Sequence, residues 1–336
     1  MGSQIHSWIS IGTEEAIGEQ YIGGNMMKKI ITTALAAAMV LTTGAAFAAP
    51  IEFDGQVKVQ YRSNTTDGDS DTQGGIYSFR LNAKTALSNN VDLFARFAAQ
   101  SLSGDKIGAD FDKTKYGTNV AVIDQYGIIV KDKDFQYKVG RQGLSISPTA
   151  LLYSSEGYIG EDMALFDGVV ATGKSGVTSL QIVAGKSDKD TKDKVYSVHA
   201  SYSPVKDWTV GGTIAKANPN AGSDRTFWGT DVQYTTGKAS FVADYLKSDA
   251  DTKNDALVLG VTYAFDDKNN LSAYSHRTDA NADIYTDWDR GEKGAYYIYN
   301  HKFDKTTSLN LLYKSNSAID TDADNTSFRA SVAYKF

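Results

Sequence analysis

The chain has no cysteine and only four prolines, and past residue 49 it has no apolar run near the roughly 18 residues that mark a membrane-spanning helix. Without cysteine, the fold must hold itself together by hydrogen bonds and packing, with no disulfide staples. Without a long apolar run, a hydropathy scan would pass the chain as soluble. Positive charge is also short: the net charge is −6, which argues against a nucleic-acid partner. What the chain does have is 20 tyrosines and 14 phenylalanines, punctuated at regular spacing by Gly, Asn, Asp and Ser. That composition argues for many short strands.

The N-terminal region reads as targeting sequence. Met27-Lys28-Lys29 is a positive start, Ile30 to Leu41 an apolar stretch, and Ala46-Phe47-Ala48 a small-x-small cleavage site. The expectation is a secretory signal peptide over 26–48, cut after Ala48, with one large domain over 49–336. Export requires nothing of the mixed polar residues 1–25, which are expected to be a non-native or untranslated leader. The codons of Gly23-Gly24-Asn25 could read as a purine-rich ribosome-binding sequence just ahead of Met26 or Met27.

Alternation defines the strands. From Phe53 to Arg62 the odd positions are apolar or small and the even ones polar or charged, which a strand sorts onto opposite faces. The same rule separates Tyr77, Phe79 and Leu81 from Arg80, Asn82 and Lys84, and Phe328, Ala330, Val332 and Tyr334 from Arg329, Ser331 and Lys335. Alternation alone also fits a soluble β-sandwich. The connections separate the two readings. Sixteen strands are expected, at about 51–63, 76–87, 91–101, 119–130, 135–142, 165–173, 177–186, 194–202, 208–216, 226–235, 239–247, 255–265, 271–277, 294–303, 308–315 and 326–336. Short turns such as Ser88-Asn89-Asn90, Lys174-Ser175-Gly176, Thr236-Gly237-Lys238 and Asp304 to Thr307 alternate with longer polar connections.

That asymmetry suits hairpins crossing a bilayer, with tight periplasmic turns and freer external loops. The expected fold is therefore all-β: a transmembrane antiparallel up-and-down β-barrel of sixteen strands. Hydrocarbon tolerates no open edge, so the last strand must pair with the first. Tyr61, Tyr77, Tyr202, Trp208, Trp228, Tyr234, Tyr263, Phe265, Phe303 and Tyr313 fall near strand ends, where aromatic girdles meet the two interfaces.

Two motifs extend the pattern. Ala330-Ser331-Val332-Ala333-Tyr334-Lys335-Phe336 ends on an aromatic with apolar residues at alternate positions, and Val139-Gly140-Arg141-Gln142 closes the fifth expected strand. On these features residues 49–336 resemble the Gram-negative-type general porins. The resemblance implies an outer-membrane location, passive diffusion of small hydrophilic solutes and ions, and a homotrimer. It also implies that Val332, Tyr334 and Phe336 are read by the barrel-assembly machinery, and that the third external loop folds into the pore. A Pro-Glu-Phe constriction motif found in some members is missing, so the detailed pore geometry does not carry over.

In such a barrel, selectivity lies at the narrowest part of the lumen. Connection 143–164 is the candidate, because it mixes Leu151, Leu152, Tyr153, Tyr158 and Ile159 with Glu156, Glu161 and Asp162. A loop facing only water seldom needs so many apolar groups. Of the eight arginines, Arg62, Arg80, Arg96, Arg141 and Arg329 fall on the last strand or the first five. Turning an arginine toward lipid costs roughly 2–4 kcal/mol at the bilayer midplane, so Arg62, Arg80, Arg96 and Arg329, on the polar parity of their strands, are expected to point inward. Arg141 shares its phase with Phe135, Tyr137 and Val139, which leaves its direction open. With Lys58, Lys84 and Lys138 these residues would form a positive wall opposite the loop carboxylates, with a transverse field between them.

Other readings are weaker. His199, His276 and His301 lie on separate strands, with no nucleophile elbow or metal-binding helix, so neither catalysis nor a cofactor is expected. The aspartate runs 67/69/71, 188/190/193 and 320/322/324 lack the full calcium-loop pattern, so no metal site is expected there; bridging by divalent ions to lipid headgroups is the milder expectation. A structural or adhesive barrel acting through the acidic loops 279–293 and 316–325 is the alternative function.

Overall fold

A computed structural model describes residues 50–68, 71–103, 119–155, 159, 164–188, 193–203, 205–220 and 222–336. The strands are β1 (Glu52–Thr66), β2 (Thr72–Ser88), β3 (Val91–Ser103), β4 (Asn119–Lys131), β5 (Phe135–Gln142), β6 (Ser145–Ile146) and β7 (Tyr153–Ser154). They continue as β8 (Phe166–Ser175), β9 (Thr178–Ser187), β10 (Lys194–Tyr202), β11 (Trp208–Asn218), β12 (Arg225–Thr236) and β13 (Ala239–Ser248). The last are β14 (Asp255–Ala264), β15 (Asn269–Thr278), β16 (Glu292–Lys302), β17 (Thr307–Ala318) and β18 (Asp324–Lys335).

Sixteen of these close an antiparallel barrel in which each strand pairs with its sequence neighbours, β5 with β8, and β1 with β18; β6 and β7 form a separate hairpin. The ladder that seals the barrel runs from Gln56 opposite Lys335 to Thr66 opposite Asn325. Beyond it the Gly55 N–H donates to the Phe336 carbonyl at 3.0 Å and the Phe336 N–H donates back at 3.2 Å. No backbone edge is left for hydrocarbon to meet along this seam.

Alternation sorts the faces as expected. Val57, Val59 and Tyr61 are exposed on the outer surface, whereas Lys58 and Gln60, between them, line an internal cavity. Of the aromatics expected in the girdles, all but Tyr234 are exposed large side chains, and Trp208 still stacks on Tyr234 at 4.4 Å. One departure from strict period two matters. A register shift after Arg96 lets Asp124 and Gln125, neighbours on β4, both be buried. This is the two-for-one geometry of a β-bulge.

Short turns stitch one end of the barrel. In the turn after β16, the Asp304 carboxylate accepts from the Thr306 and Thr307 backbone N–H groups, each at 2.7 Å. These bonds hold its pKa down at about 2.

Candidate functional site

The interior is filled on one side by two connections, of which 143–165 is the first. Its β6–β7 hairpin buries Leu144, Ile146, Leu151, Leu152 and Tyr153 against the barrel wall. Thr149 donates its hydroxyl to the inward carboxylate of Asp244 at 2.7 Å, and Tyr153 donates to the Ala164 carbonyl at 2.8 Å. The wall makes room with a row of glycines in register: Gly127 opposite Gly140, Gly140 opposite Gly168, and Gly168 opposite Gly185. At Gly140 φ is +129° and an added Cβ would strike the Tyr126 carbonyl. At Gly168 and Gly185 it would strike the ring of Phe166, which lies T-shaped against Tyr153.

The second connection, 279–291, also turns inward, which the sequence reading of 279–293 as an exposed acidic loop did not anticipate. Ala282, Ile284 and Trp288 are buried with the first loop in one cluster. Ile284 and Tyr285 both donate their backbone N–H to the Leu152 carbonyl, at 3.1 and 3.2 Å, and Ser154 donates to the Tyr285 carbonyl at 2.5 Å. Tyr153 and Tyr285 form a parallel bridge, and the Trp288 indole donates to the Thr149 carbonyl at 2.9 Å. Arg290 clasps Asp283 inside the loop. The signal was present, since Ala282, Ile284, Tyr285 and Trp288 are the same kind of apolar residues that mark 143–164.

Through this loop Asp289 reaches the barrel wall. It accepts from Lys314 at 3.0 Å, from the Tyr296 hydroxyl at 2.6 Å and from Asn316 at 2.7 Å. Burial opposes its charge, but Lys314 and Tyr296 outweigh burial and keep the carboxyl below the usual carboxylate range. Neither Lys314 nor Asp289 was singled out from sequence, because their meeting depends on a loop folding back.

The expected basic residues divide into three groups. Arg62 and Arg329 stand directly opposite each other across the seam and line one internal cavity with Lys314 and Asp289. Lys58 lines the larger cavity beside them, and Arg80 lies opposite Gln56 on the same face. The second group is neutralised within the wall: Arg96 makes a bidentate pair with Asp124 at 2.8 Å, and Lys84 shares Asp92 with Lys131, at 3.0 and 2.7 Å. Lys138 sits over the Phe94 ring at 4.4 Å. Arg141 stands alone in the third. It keeps the parity of Tyr137 and Val139, opposite that of Lys138, and pairs with Asp167 directly across the ladder. Its parity and its Asp167 partner set it apart from the cations that line the two cavities.

Glu156, Tyr158, Glu161 and Asp162 lie outside the described residues, as do Asp69, Asp190 and the leader 1–48. Among the described residues, the carboxylates lining the cavities with the basic strip are Asp287 and Asp289 of the second loop. His199 bonds Thr213, His276 bonds Asn316, and His301 bonds Asn269, each on its own stretch of wall. Asp320 and Asp322 are paired with Lys253 and Lys293, so two carboxylates of that run bind lysines of neighbouring strands and loops.

The larger cavity holds about 720 Å³. It is lined by Thr149 and Trp288 of the docked loops and by Lys58, Tyr296, Lys314 and Arg329 of the wall. A smaller cavity of about 190 Å³ shares Lys314 and Arg329 with it and continues past Asn64, Thr66 and Asn325. Both lie inside the closed wall, with Lys314 and Arg329 lining each of them.

Comparison with known proteins gives the same picture. A family model described as Gram-negative porin matches residues 33–323. Among solved structures, OmpT of Vibrio cholerae in its trimer form is 14% identical, with 86% of this chain and 100% of that chain covered and a TM-score of 0.55. A triple mutant of the Rhodopseudomonas blastica porin is 13% identical, with 85% and 100% covered and a TM-score of 0.55. Salmonella typhi OmpF in complex with daunomycin is 12% identical, with 85% and 97% covered and a TM-score of 0.57. At these identities the likeness is one of fold. No curated protein matches the sequence.

Proposed function

The chain belongs to the Gram-negative porin family, and from that premise we propose that it forms a water-filled outer-membrane channel for passive diffusion of small hydrophilic solutes and ions. The observation that carries this reading is the pair of neighbouring lumen cavities lined by Lys58, Arg62, Lys314 and Arg329. A barrel of about sixteen strands has an interior too wide for side chains alone to fill, and here two loops narrow it without replacing its polar lining. Selectivity then follows from the width left by the loops and from the charges beside them. Lys58, Arg62, Arg80, Lys314 and Arg329 form the positive strip, with Asp287 and Asp289 as its counter-charges; the loop carboxylates Glu156, Glu161 and Asp162 complete the constriction in this reading.

The working particle is proposed to be a homotrimer, as one solved relative is described, inserted in lipid by the barrel-assembly machinery, which reads Val332, Tyr334 and Phe336. Residues 26–48 act as a signal peptide removed after Ala48. Residues 1–25 form no part of the mature protein. The experiment is single-channel recording of the purified protein in planar bilayers across a KCl gradient. Stepwise conductance with a reversal potential that moves toward cation preference in Arg62→Glu is the expected result. A protein that inserts without conducting overturns the proposal.

A further inference from the structure

Two adjacent register rows beside the seam place cations and apolar side chains side by side on the lumen face. One row runs Arg62, Arg329, Leu312, Ile298 across β1, β18, β17 and β16. The next runs Ser327, Lys314, Tyr296, Tyr274 across β18, β17, β16 and β15. Directly opposed residues in an antiparallel pair stand about 4.5–5.5 Å apart at Cβ. A cationic sector therefore passes into an apolar one within a single strand spacing. Leu312, Ile298 and Tyr274 are only half buried, and all three line the cavity of about 720 Å³ together with Arg329 and Lys314.

A purely solvated pore has no use for this apolar sector, since an aqueous wall is served by polar residues. The two cations at its border also differ. Lys314 is engaged by Asp289 at 3.0 Å. The Arg329 Nε, in contrast, is buried with no hydrogen-bond partner among the described residues. The Nε itself lies out of a solute's reach, so an incoming carboxylate would meet the guanidinium where Arg329 lines both cavities. Asp287 lines the same cavity and Asp289 the adjoining one, so a second negative charge on the solute would meet repulsion.

We propose that this strip is a binding site for small monocarboxylates with a compact apolar body, the carboxylate seated on Arg329 and the body laid over Leu312 and Ile298. Benzoate is a probe of this class. The inference rests on the channel reading above and names the solute class that the channel prefers. A cavity of this size lies within the range of small-molecule sites, which combine an apolar lining with a few placed polar groups.

The test is the KCl current of single reconstituted channels with benzoate, acetate, benzyl alcohol or terephthalate added to one side. Benzoate is expected to reduce the current at a concentration about tenfold below acetate, which lacks the apolar body. Benzyl alcohol, lacking the charge, and terephthalate, carrying two, should act as weakly as acetate. Arg329→Gln and Leu312→Asn should each raise the half-blocking concentration of benzoate about fivefold or more. The readout is the ratio of currents with and without solute in the same channel, so changes in the open pore cancel. Equal block by benzoate and acetate in the unaltered protein overturns the site while the channel reading stands. Inserted protein with no KCl current overturns both.

Discussion

At the scale of single residues, ionisable side chains of the same type meet different fates according to whether a partner arrives. Arg96 and Arg329 both sit on the polar parity of their strands, yet Arg96 is closed off by Asp124 and Arg329 faces a cavity. Asp188, just past β9, is the case with a measurable consequence. Its backbone N–H donates to the Leu165 carbonyl at 2.7 Å, while its buried Oδ1 has no partner among the described residues. Burial raises its pKa to about 6; Arg141 pulls the other way and Asp167 adds to the rise. The unfolded chain releases this proton near 3.8, so between the two values the folded rim holds a proton that the unfolded chain has lost. Stability from this group is complete below the unfolded pKa and is lost as pH rises through about 6. Asp188→Asn should therefore raise the unfolding midpoint at pH 7 and flatten its fall between pH 4 and 7. Heat-modifiability of the purified barrel on SDS gels across that pH range reads both, and a lower midpoint for the variant at pH 7 would contradict the account. Parity in the sequence could place Arg96 and Arg329 on the lumen face; it could not say which was neutralised, because the register shift at Arg96 is a property of the ladder and leaves no mark in the alternation.

At the scale of elements, the strands were legible and the second loop was not, for one physical reason. A strand's faces are fixed by period two, so Val57, Val59 and Tyr61 against Lys58, Gln60 and Arg62 declare themselves without knowledge of neighbours. A loop's docking depends on a surface contributed by another loop, and 279–291 finds that surface on Leu151, Leu152 and Tyr153 of the first loop. The family resemblance points to 143–164 and its apolar residues; Ile284, Tyr285 and Trp288 carry the same signal with no resemblance to mark them. Removing a buried tryptophan such as Trp288 costs about 3–5 kcal/mol, and 4 kcal/mol is roughly a thousandfold bias, so the two loops should stay together at ordinary temperature and act as one constriction. The absence of native cysteine makes this directly testable. Tyr153 and Tyr285 are bridge partners, and bridged Cα atoms fall within the 4.4–6.8 Å or so that a disulfide accepts. Tyr153→Cys with Tyr285→Cys should cross-link under mild oxidation, seen as a faster band on non-reducing gels, and reduction should leave single-channel conductance within about twofold of the oxidised value. No cross-link, or a conductance that rises severalfold on reduction, would mean that the loops part in the membrane.

At the scale of the whole molecule, everything depends on closure, and closure is completed by the last residue. Phe336 bonds Gly55 through both its N–H and its carbonyl, and its ring stacks on Phe79 at 6.1 Å. The fit needs glycine, since a Cβ at position 55 would stand 2.5 Å from the Phe336 ring and 2.5 Å from the Arg80 carbonyl. Phe336 is therefore a physical latch on the seam between β1 and β18, beside the role of assembly signal proposed for it. In vitro refolding separates the two, because detergent or synthetic lipid contains no assembly machinery. Deleting Phe336 would strip Gly55 of both backbone partners at the membrane, where an unsatisfied peptide group costs several kcal/mol. Phe336→Ala keeps the backbone bonds and loses only the ring. If the latch is real, refolded protein should lose stability in the order unaltered, Phe336→Ala, Phe336 deletion, with Gly55→Val falling near the deletion; urea midpoints in lipid vesicles would rank them. If the four refold to the same midpoint, Phe336 serves assembly alone, and the barrel is sealed by the ladder from Gln56 to Thr66 without its help.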